Sequence, residues 1–282
     1  MQQLPRKRLS TVFPAPPPDP EPEPETAKIR PPSPTPEPLI ISGPKPRNPL
    51  QTFMQTKTDL PLHKWLHYFD IYHQYFERYQ GLAGRFLEIG VQGGGSMQMW
   101  RDYFGPDMNI FGMDIDPKCA TLGLEEQDPR LKIVIGDQAN RSFLRNFAAA
   151  NGPFDMVVDD GGHLFDQQIA SFEELFPYVR PGGVYLVEDT HTSYWPEFQG
   201  GANNPHTFVN YSKRLIEDIH AWHIKGAPIS KWTNMIESIA FADSIVVFRK
   251  KLNLARRPPQ SEKWKSGKRI EVGPFPPNQN RK

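Results

Sequence analysis

Between residues 86 and 187 the chain repeats one pattern, a short apolar run followed by an amphipathic stretch, and that repetition leaves few folds open. Phe86 to Val91, Ile110 to Ile115, Leu131 to Ile135, Phe154 to Val158 and Val184 to Val187 read as strands. Met97 to Tyr103, Arg141 to Ala150 and Gln167 to Tyr178 read as helices between them, with a Pro181-Gly182-Gly183 turn before the last strand. Strands that alternate with helices need crossover connections, which predicts a mostly parallel sheet with helices on both faces. In such sheets ligands bind beyond the carboxyl ends of the strands. Phe208 to Trp222 reads as a further amphipathic helix with Ile216 and Ile219 facing inward, and Met235 to Phe241 and Ser244 to Arg249 as an antiparallel hairpin joined across Ala242-Asp243.

Around this core the composition changes. Residues 1–50 hold about half of the chain's 31 prolines, interleaved with Glu, Arg and Ser, and are expected to be extended and disordered. From Asp59 the character shifts: Trp65, Tyr68, Phe69, Tyr72, Tyr75, Phe76 and Tyr79 recur at spacings of three and four, which predicts a helix with an aromatic face. That face suits core packing or a subunit contact, and so makes a homo-oligomer an expectation. One domain over residues 51–251, with this helix as an N-terminal cap, accounts for a chain of this length. Residues 252–282 are a basic tail, expected without regular structure. A formal net charge of +1 gives no reason to expect nucleic acid or an anionic membrane as partner. No apolar run approaches the roughly 20 residues of a membrane span, and the lone Cys119 forms no disulfide within the chain, so a cytoplasmic location is expected.

Three successive strand ends carry the features of an adenosine pocket. The first runs into Glu88-Ile89-Gly90-Val91-Gln92-Gly93-Gly94-Gly95-Ser96, where glycines let the backbone turn tightly and approach a ligand. Its pattern is E-x-G-x-x-x-G rather than the dinucleotide fingerprint, and the acid precedes the loop where a cationic methionine moiety would want a carboxylate. The second strand ends in Asp114-Ile115-Asp116-Pro117, where an acid can accept both ribose hydroxyls, and the third in Gly136-Asp137-Gln138, where a carboxylate can accept an adenine amino group. The implied cofactor is S-adenosylmethionine, with Glu88, Gly90, Gly93, Ser96, Asp114, Asp137, Gln138 and Asp159 as its expected contacts. The closing antiparallel hairpin points the same way, away from nicotinamide-binding domains.

The next two strand ends carry the chemistry. Val158-Asp159-Asp160-Gly161-Gly162-His163 and Val187-Glu188-Asp189-Thr190-His191 project from one edge if the sheet is parallel. Four carboxylates gathered there repel one another and need a cation or protons. Oxygen donors suit Mg²⁺ or Mn²⁺ rather than Zn²⁺. His163, three residues after Asp160, is placed as a general base for a hydroxyl proton, with His191 as the weaker rival. Tyr194 and Trp195 offer flat surfaces for a sugar or an aglycone, or pin their own loop.

Together these residues resemble a known family. E-I-G-V-Q-G-G-G-S, D-I-D-P, I-G-D-Q, D-D-G-G-H and V-E-D-T-H-T-S-Y-W are similar to class I methyltransferases related to the metal-dependent sugar O-methyltransferases of macrolide biosynthesis, some of whose relatives are labelled cephalosporin hydroxylases. The resemblance runs from about residue 58 to residue 249. It implies an α/β Rossmann-like methyltransferase fold with a seven-stranded sheet, a Mg²⁺ site at Asp160, Glu188 and Asp189, and His163 as the base. Two departures stand out: Gly162 replaces the family's serine, and the family's T-D-K appears as Thr58-Asp59-Leu60 with Lys64 later, in a segment expected to cover the site. The expected activity is Mg²⁺-assisted methyl transfer to a hydroxyl of a sugar or glycosylated natural product. The alternatives are a metal-independent methyltransferase acting on another small-molecule nucleophile, and a non-catalytic S-adenosylmethionine-binding scaffold. A hydroxylase would need a redox-metal set of two histidines and a carboxylate, which the spacing does not offer.

Overall fold

The computed structural model describes residues 48–56, 59–252, 260–265 and 268–274. Of the arm expected to be disordered, residues 1–47 lie outside the described ones, whereas its last residues, 48–50, are ordered and open a helix because Leu50 is buried in the core. Asn48 opens the described chain as a cap, its side-chain oxygen accepting from the Leu50 amide 3.1 Å away, and helix α1 (Pro49–Thr56) follows. Helix α2 (Tyr68–Phe76) carries the aromatic stripe. Then come β1 (Gly84–Ile89), α3 (Gly95–Phe104), β2 (Met108–Asp114), the short α4 (Leu124–Gln127), β3 (Leu131–Ile135), α5 (Arg141–Asn151), β4 (Phe154–Asp159), α6 (Phe165–Leu175) and β5 (Val179–Val187). Helices α7 (Phe208–His220) and α8 (Lys231–Met235) precede the hairpin β6 (Ile236–Ala242) and β7 (Ile245–Lys250).

The seven strands form one sheet in the order β3-β2-β1-β4-β5-β7-β6. Its first five members are parallel; β7 pairs antiparallel with both β5 and β6. This is the expected seven-stranded, Rossmann-like methyltransferase architecture. The strand order reverses between β1 and β4, which opens the ligand-binding crevice of such sheets at that point.

Alternation along each strand divides the core in two. Phe86, Met156, Val158, Val184 and Leu186 face α1, α2 and α3, where Tyr72, Phe76, Trp100 and Phe104 are fully buried. Leu87, Ile89, Val157, Tyr185 and Val187 face α5, α6 and α7. The aromatic stripe is therefore core. Tyr68, Phe69, Tyr72 and Phe76 are buried within the chain, which removes the reason for expecting a homo-oligomer from that face.

Several local expectations change. Trp65 lies before α2 and is partly exposed, since the three-and-four spacing extends past the helix that forms. Pro181-Gly182-Gly183 is not a turn between elements but a bulge inside β5: Phe154 pairs with Val179 and Met156 already with Val184. In α7 the buried side is Phe208, Val209, Ser212 and Leu215, with Ile219 packed against it, whereas Ile216 is exposed. Phe208, Ser212, Leu215 and Ile219 fall close to one line along the helix, and Ile216 lies at the edge of that stripe. Within the basic tail, β8 (Gln260–Lys265) and β9 (Lys268–Pro274) pair antiparallel where no regular structure was expected. Among the described residues no helix is long and apolar enough to cross a membrane.

Phe172 on α6 is fully buried, with its ring 4.3 Å from that of Phe248 and 5.1 Å from that of Trp232. Phe172→Ala should therefore cost about 3–5 kcal/mol, read as a lowered urea midpoint with unchanged slope.

Candidate functional site

The two-residue period of the strands decides where the acids go. Glu88 continues the face of Phe86, Asp160 that of Met156 and Val158, and Glu188 that of Val184 and Leu186. All three side chains thus emerge on the α1–α3 side of adjacent strands. The segment between α1 and α2 crosses there, anchored by the Gly95 amide donating to the Pro61 carbonyl at 3.2 Å. From it Lys64 reaches into the acids. Its Nζ lies 3.2 Å from Glu88 Oε1, 2.6 Å from Asp160 Oδ2, and 3.1 and 3.0 Å from Glu188 Oε1 and Oε2. Lys64, Glu88 and Glu188 are buried, and Asp160 is partly exposed. Although burial disfavours its charge, the carboxylates of Asp160, Glu188 and Glu88 hold the Lys64 ammonium well above its ordinary pKa. Burial pushes Glu188 well up, reinforced by Asp160, and pushes Glu88 up as well.

A second cluster shares Asp160 and opens on the cleft. His163 Nε2 is 4.0 Å from Asp160 Oδ1 and 3.5 Å from Asp189 Oδ2, and these three groups converge closely enough to hold a cation. His163 and Asp189 both have positive φ, 59° and 52°, a sparsely populated conformation for residues other than glycine. That twist at Asp189 breaks the alternation of β5 and lets its carboxylate turn toward His163 and Tyr68, whose hydroxyl donates to Asp189 Oδ1 at 2.6 Å. His191, the weaker rival, has its Nδ1 2.5 Å from Ser244 Oγ and its ring stacked 4.7 Å from Trp65, and burial lowers its pKa. Trp195 meets the His191 ring edge-on, with centroids 4.3 Å apart.

The cleft itself, of about 480 Å³, runs from this cluster to the β2 and β3 ends. Of the expected contacts, Gly90, Asp114, Asp137, Gln138, Asp160, His163, Glu188 and Asp189 line it. Gly90 has φ +95°, and a Cβ there would lie 2.0 Å from the Asp160 carbonyl oxygen, so only glycine lets the two strand ends meet. Asp114 Oδ2 accepts from the amides of Val91 and Gln92 at 2.8 and 3.0 Å, and Oδ1 from that of Asp116 at 2.9 Å. Burial opposes its charge, but these N–H groups outweigh it and lower its pKa.

Four expected cofactor contacts do not line the cleft. Glu88 is turned to Lys64, Ser96 donates to Glu88 Oε2 at 2.5 Å, and Gly93 packs on Pro61. Asp159 falls on the opposite face of β4 by the same alternation, where it accepts from Ser171 and, at 3.0 Å, from Gln138 Nε2. Its work is to orient Gln138, whose Oε1 accepts from the Gly162 amide at 2.6 Å. Nor do Asp160, Glu188 and Asp189 gather as one trio: Glu188 belongs with Lys64 on the inner side, and Asp189 with His163 on the outer. Lys64 and Tyr68, not among the expected site residues, also bond to these acids. The signal for Lys64 was a single cation inside Leu62-His63-Lys64-Trp65-Leu66, in the segment that the resemblance lays over the site.

The chain is also similar to known proteins. Residues 87–190 match a family model described as a methyltransferase domain. The chain is 36% identical over 203 residues to 8-demethyl-8-alpha-L-rhamnosyl tetracenomycin-C 2'-O-methyltransferase of Streptomyces olivaceus, covering 67% of this chain and 52% of that protein. It is likewise 36% identical over 200 residues to mycinamicin VI 2''-O-methyltransferase of Micromonospora griseorubida, covering 67% of this chain and 49% of the relative. The chain thus spans about half the length of the curated relatives it matches. Among solved structures, MycE methyltransferase from the mycinamycin biosynthetic pathway, in complex with Mg and SAH, superposes with a TM-score of 0.64 at 31% identity, covering 74% of this chain and 55% of that one.

Asp159 yields a pH test. Burial raises its pKa to about 6, above the unfolded value, so the folded state takes up the proton first and gains stability as pH falls through 6 toward 4. Measured as the difference between the wild type and Asp159→Asn, the wild type should gain about 1 kcal/mol between pH 7.5 and 5. A difference independent of pH over that window would show that Asp159 is not held as described.

Proposed function

We propose that this chain, which carries a class I methyltransferase domain, transfers the methyl group of S-adenosylmethionine to a hydroxyl on the sugar of a glycosylated small molecule. The observation that carries the reading is His163 Nε2 set between Asp160 and Asp189 at the carboxyl edge of the sheet, beside the cleft whose far end holds Asp114 and Asp137. The sugar as acceptor rests on the similarity to the two glycoside O-methyltransferases.

In this reading Asp114 and Asp137 orient the adenosine end, and Gly90 lets the methionine end approach the backbone. S-adenosylmethionine bound there would supply its methyl group to the acceptor oxygen and leave as a neutral thioether, the carbon–sulfur electron pair passing to sulfur. His163 Nε2 takes the hydroxyl proton, and the imidazolium so formed rests between the carboxylates of Asp160 and Asp189. Trp65 and Trp195, both partly exposed at the mouth beside His191, present apolar faces to the rest of the acceptor.

The donor set fits Mg²⁺. Asp160 and Asp189 offer two carboxylates beside His163, and Mg²⁺ is commonly held by one or two carboxylates plus water and substrate oxygens. Bound there, the ion would lower the pKa of a coordinated hydroxyl. Glu188, expected as a third ligand, has both oxygens on Lys64 and would support the site from behind.

Incubation with methyl-labelled S-adenosylmethionine and a rhamnosylated polyketide or macrolide should label the sugar. Activity should fall in EDTA and return with Mg²⁺. His163→Ala should reduce kcat by about 10²–10⁴-fold while S-adenosylhomocysteine affinity stays within a factor of two. Full activity in EDTA would instead support the metal-independent alternative, and cofactor binding without transfer to any hydroxylated acceptor would support the scaffold.

A further inference from the structure

The acidic cluster offers two positions for a cation, and they share Asp160. Glu88, Asp160 and Glu188 converge on the inner one, and Asp160, His163 and Asp189 on the outer. Lys64 Nζ sits at the inner position. Its three N–H donors meet four carboxylate oxygens at 2.6–3.2 Å, one each on Glu88 and Asp160 and both on Glu188, so all three acids bond to a single ammonium. The ring of Tyr72 lies 5.9 Å below the same ammonium, and the buried Tyr72 hydroxyl beside the cluster makes no regular hydrogen bond. The residue is also held from the main chain, because Pro61, three positions earlier, is fixed to the start of α3.

We infer that Lys64 is a tethered cation that fills the inner position, so that the chain leaves only the outer position, at Asp160 and Asp189, for a divalent ion. The ammonium offsets one of the cluster's negative charges without a metal. It also fixes Asp160 Oδ2, leaving Oδ1 to face His163 and the cleft. Lys64 is thus a positioning residue: it touches neither the cofactor cleft's adenosine end nor His163, and acts through Asp160. Only the identity of the outer ion rests on the proposed function; the occupation of the inner position rests on the contacts of Lys64.

Counting bound Mn²⁺ by calorimetry and electron paramagnetic resonance tests this on the full chain. The wild type should bind one ion and Lys64→Ala two, and the double variant Lys64→Ala/Glu188→Gln should lose the second. Lys64→Ala should also have a lowered Tm in metal-free buffer, with Mn²⁺ restoring more than it adds to the wild type. An equal count in wild type and Lys64→Ala overturns the inference and leaves the outer site to be judged by the wild-type count. No ion in the wild type but one in Lys64→Ala upholds the inference and removes the outer metal. Should Lys64→Ala fail to fold, anomalous scattering from wild-type crystals soaked in Mn²⁺ decides. A single peak between Asp160 and Asp189 is expected, and a peak among Glu88, Asp160 and Glu188 overturns the proposal.

Discussion

One ammonium set against three carboxylates is the interaction around which the carboxyl edge of the sheet is arranged. Glu88, Asp160 and Glu188 sit at the ends of three neighbouring strands, and two of them are fully buried. Uncompensated, such a group would not stay charged or would not stay folded; removing one partner of a buried ion pair typically costs about 3–5 kcal/mol. Lys64 supplies the compensation and ties the segment before α2 across the carboxyl edge of the sheet. That segment in turn lies on the glycine loop through Pro61, so the cofactor loop, the acids and the cleft wall are held as a unit.

The second organising fact is geometric. Neighbouring acids in sequence are sent to opposite faces because strand side chains alternate. Asp160 points to the cleft and to Lys64, while Asp159 points to α6, Ser171 and Gln138. The same rule would send Asp189 away from Glu188, and the left-handed backbone at Asp189 redirects it to the cleft instead. Two of the site's residues, His163 and Asp189, hold this conformation, and both face the position where a hydroxyl proton would be taken up. Local strain of this kind persists where surrounding contacts over-determine it, as Tyr68 does for Asp189 and Thr192, donating to the His163 carbonyl at 3.0 Å, does for His163.

Much of the fold was legible in the chain itself. The five parallel strands, the helices between them and the closing hairpin lie where apolar periodicity put them, because burial on both sheet faces forces that periodicity into the sequence. Part of the cleft lining was legible too, since Gly90, Asp114 and Asp137, each read from a strand end, all line it. Errors arose where a pattern ran past its element, as at Trp65 and Ile216, or where Pro181-Gly182-Gly183 looked like a turn although the strand continues through it as a bulge.

What the sequence determined by itself is which chemistry gathers at the carboxyl edge: carboxylates after β4 and β5, a histidine three residues on, and a glycine loop after β1. Residue order along each strand dictates this, and a parallel sheet brings all the strand ends to one edge. What only the tertiary structure decided is how those acids divide. Lys64 stands 24 residues before Glu88 and 124 before Glu188 in the chain, and no local pattern announces a partner at that distance. Its position depends on a segment without regular structure docking on the glycine loop. Only when that contact forms does one cluster of acids become an inner group closed by an ammonium and an outer group open to the cleft.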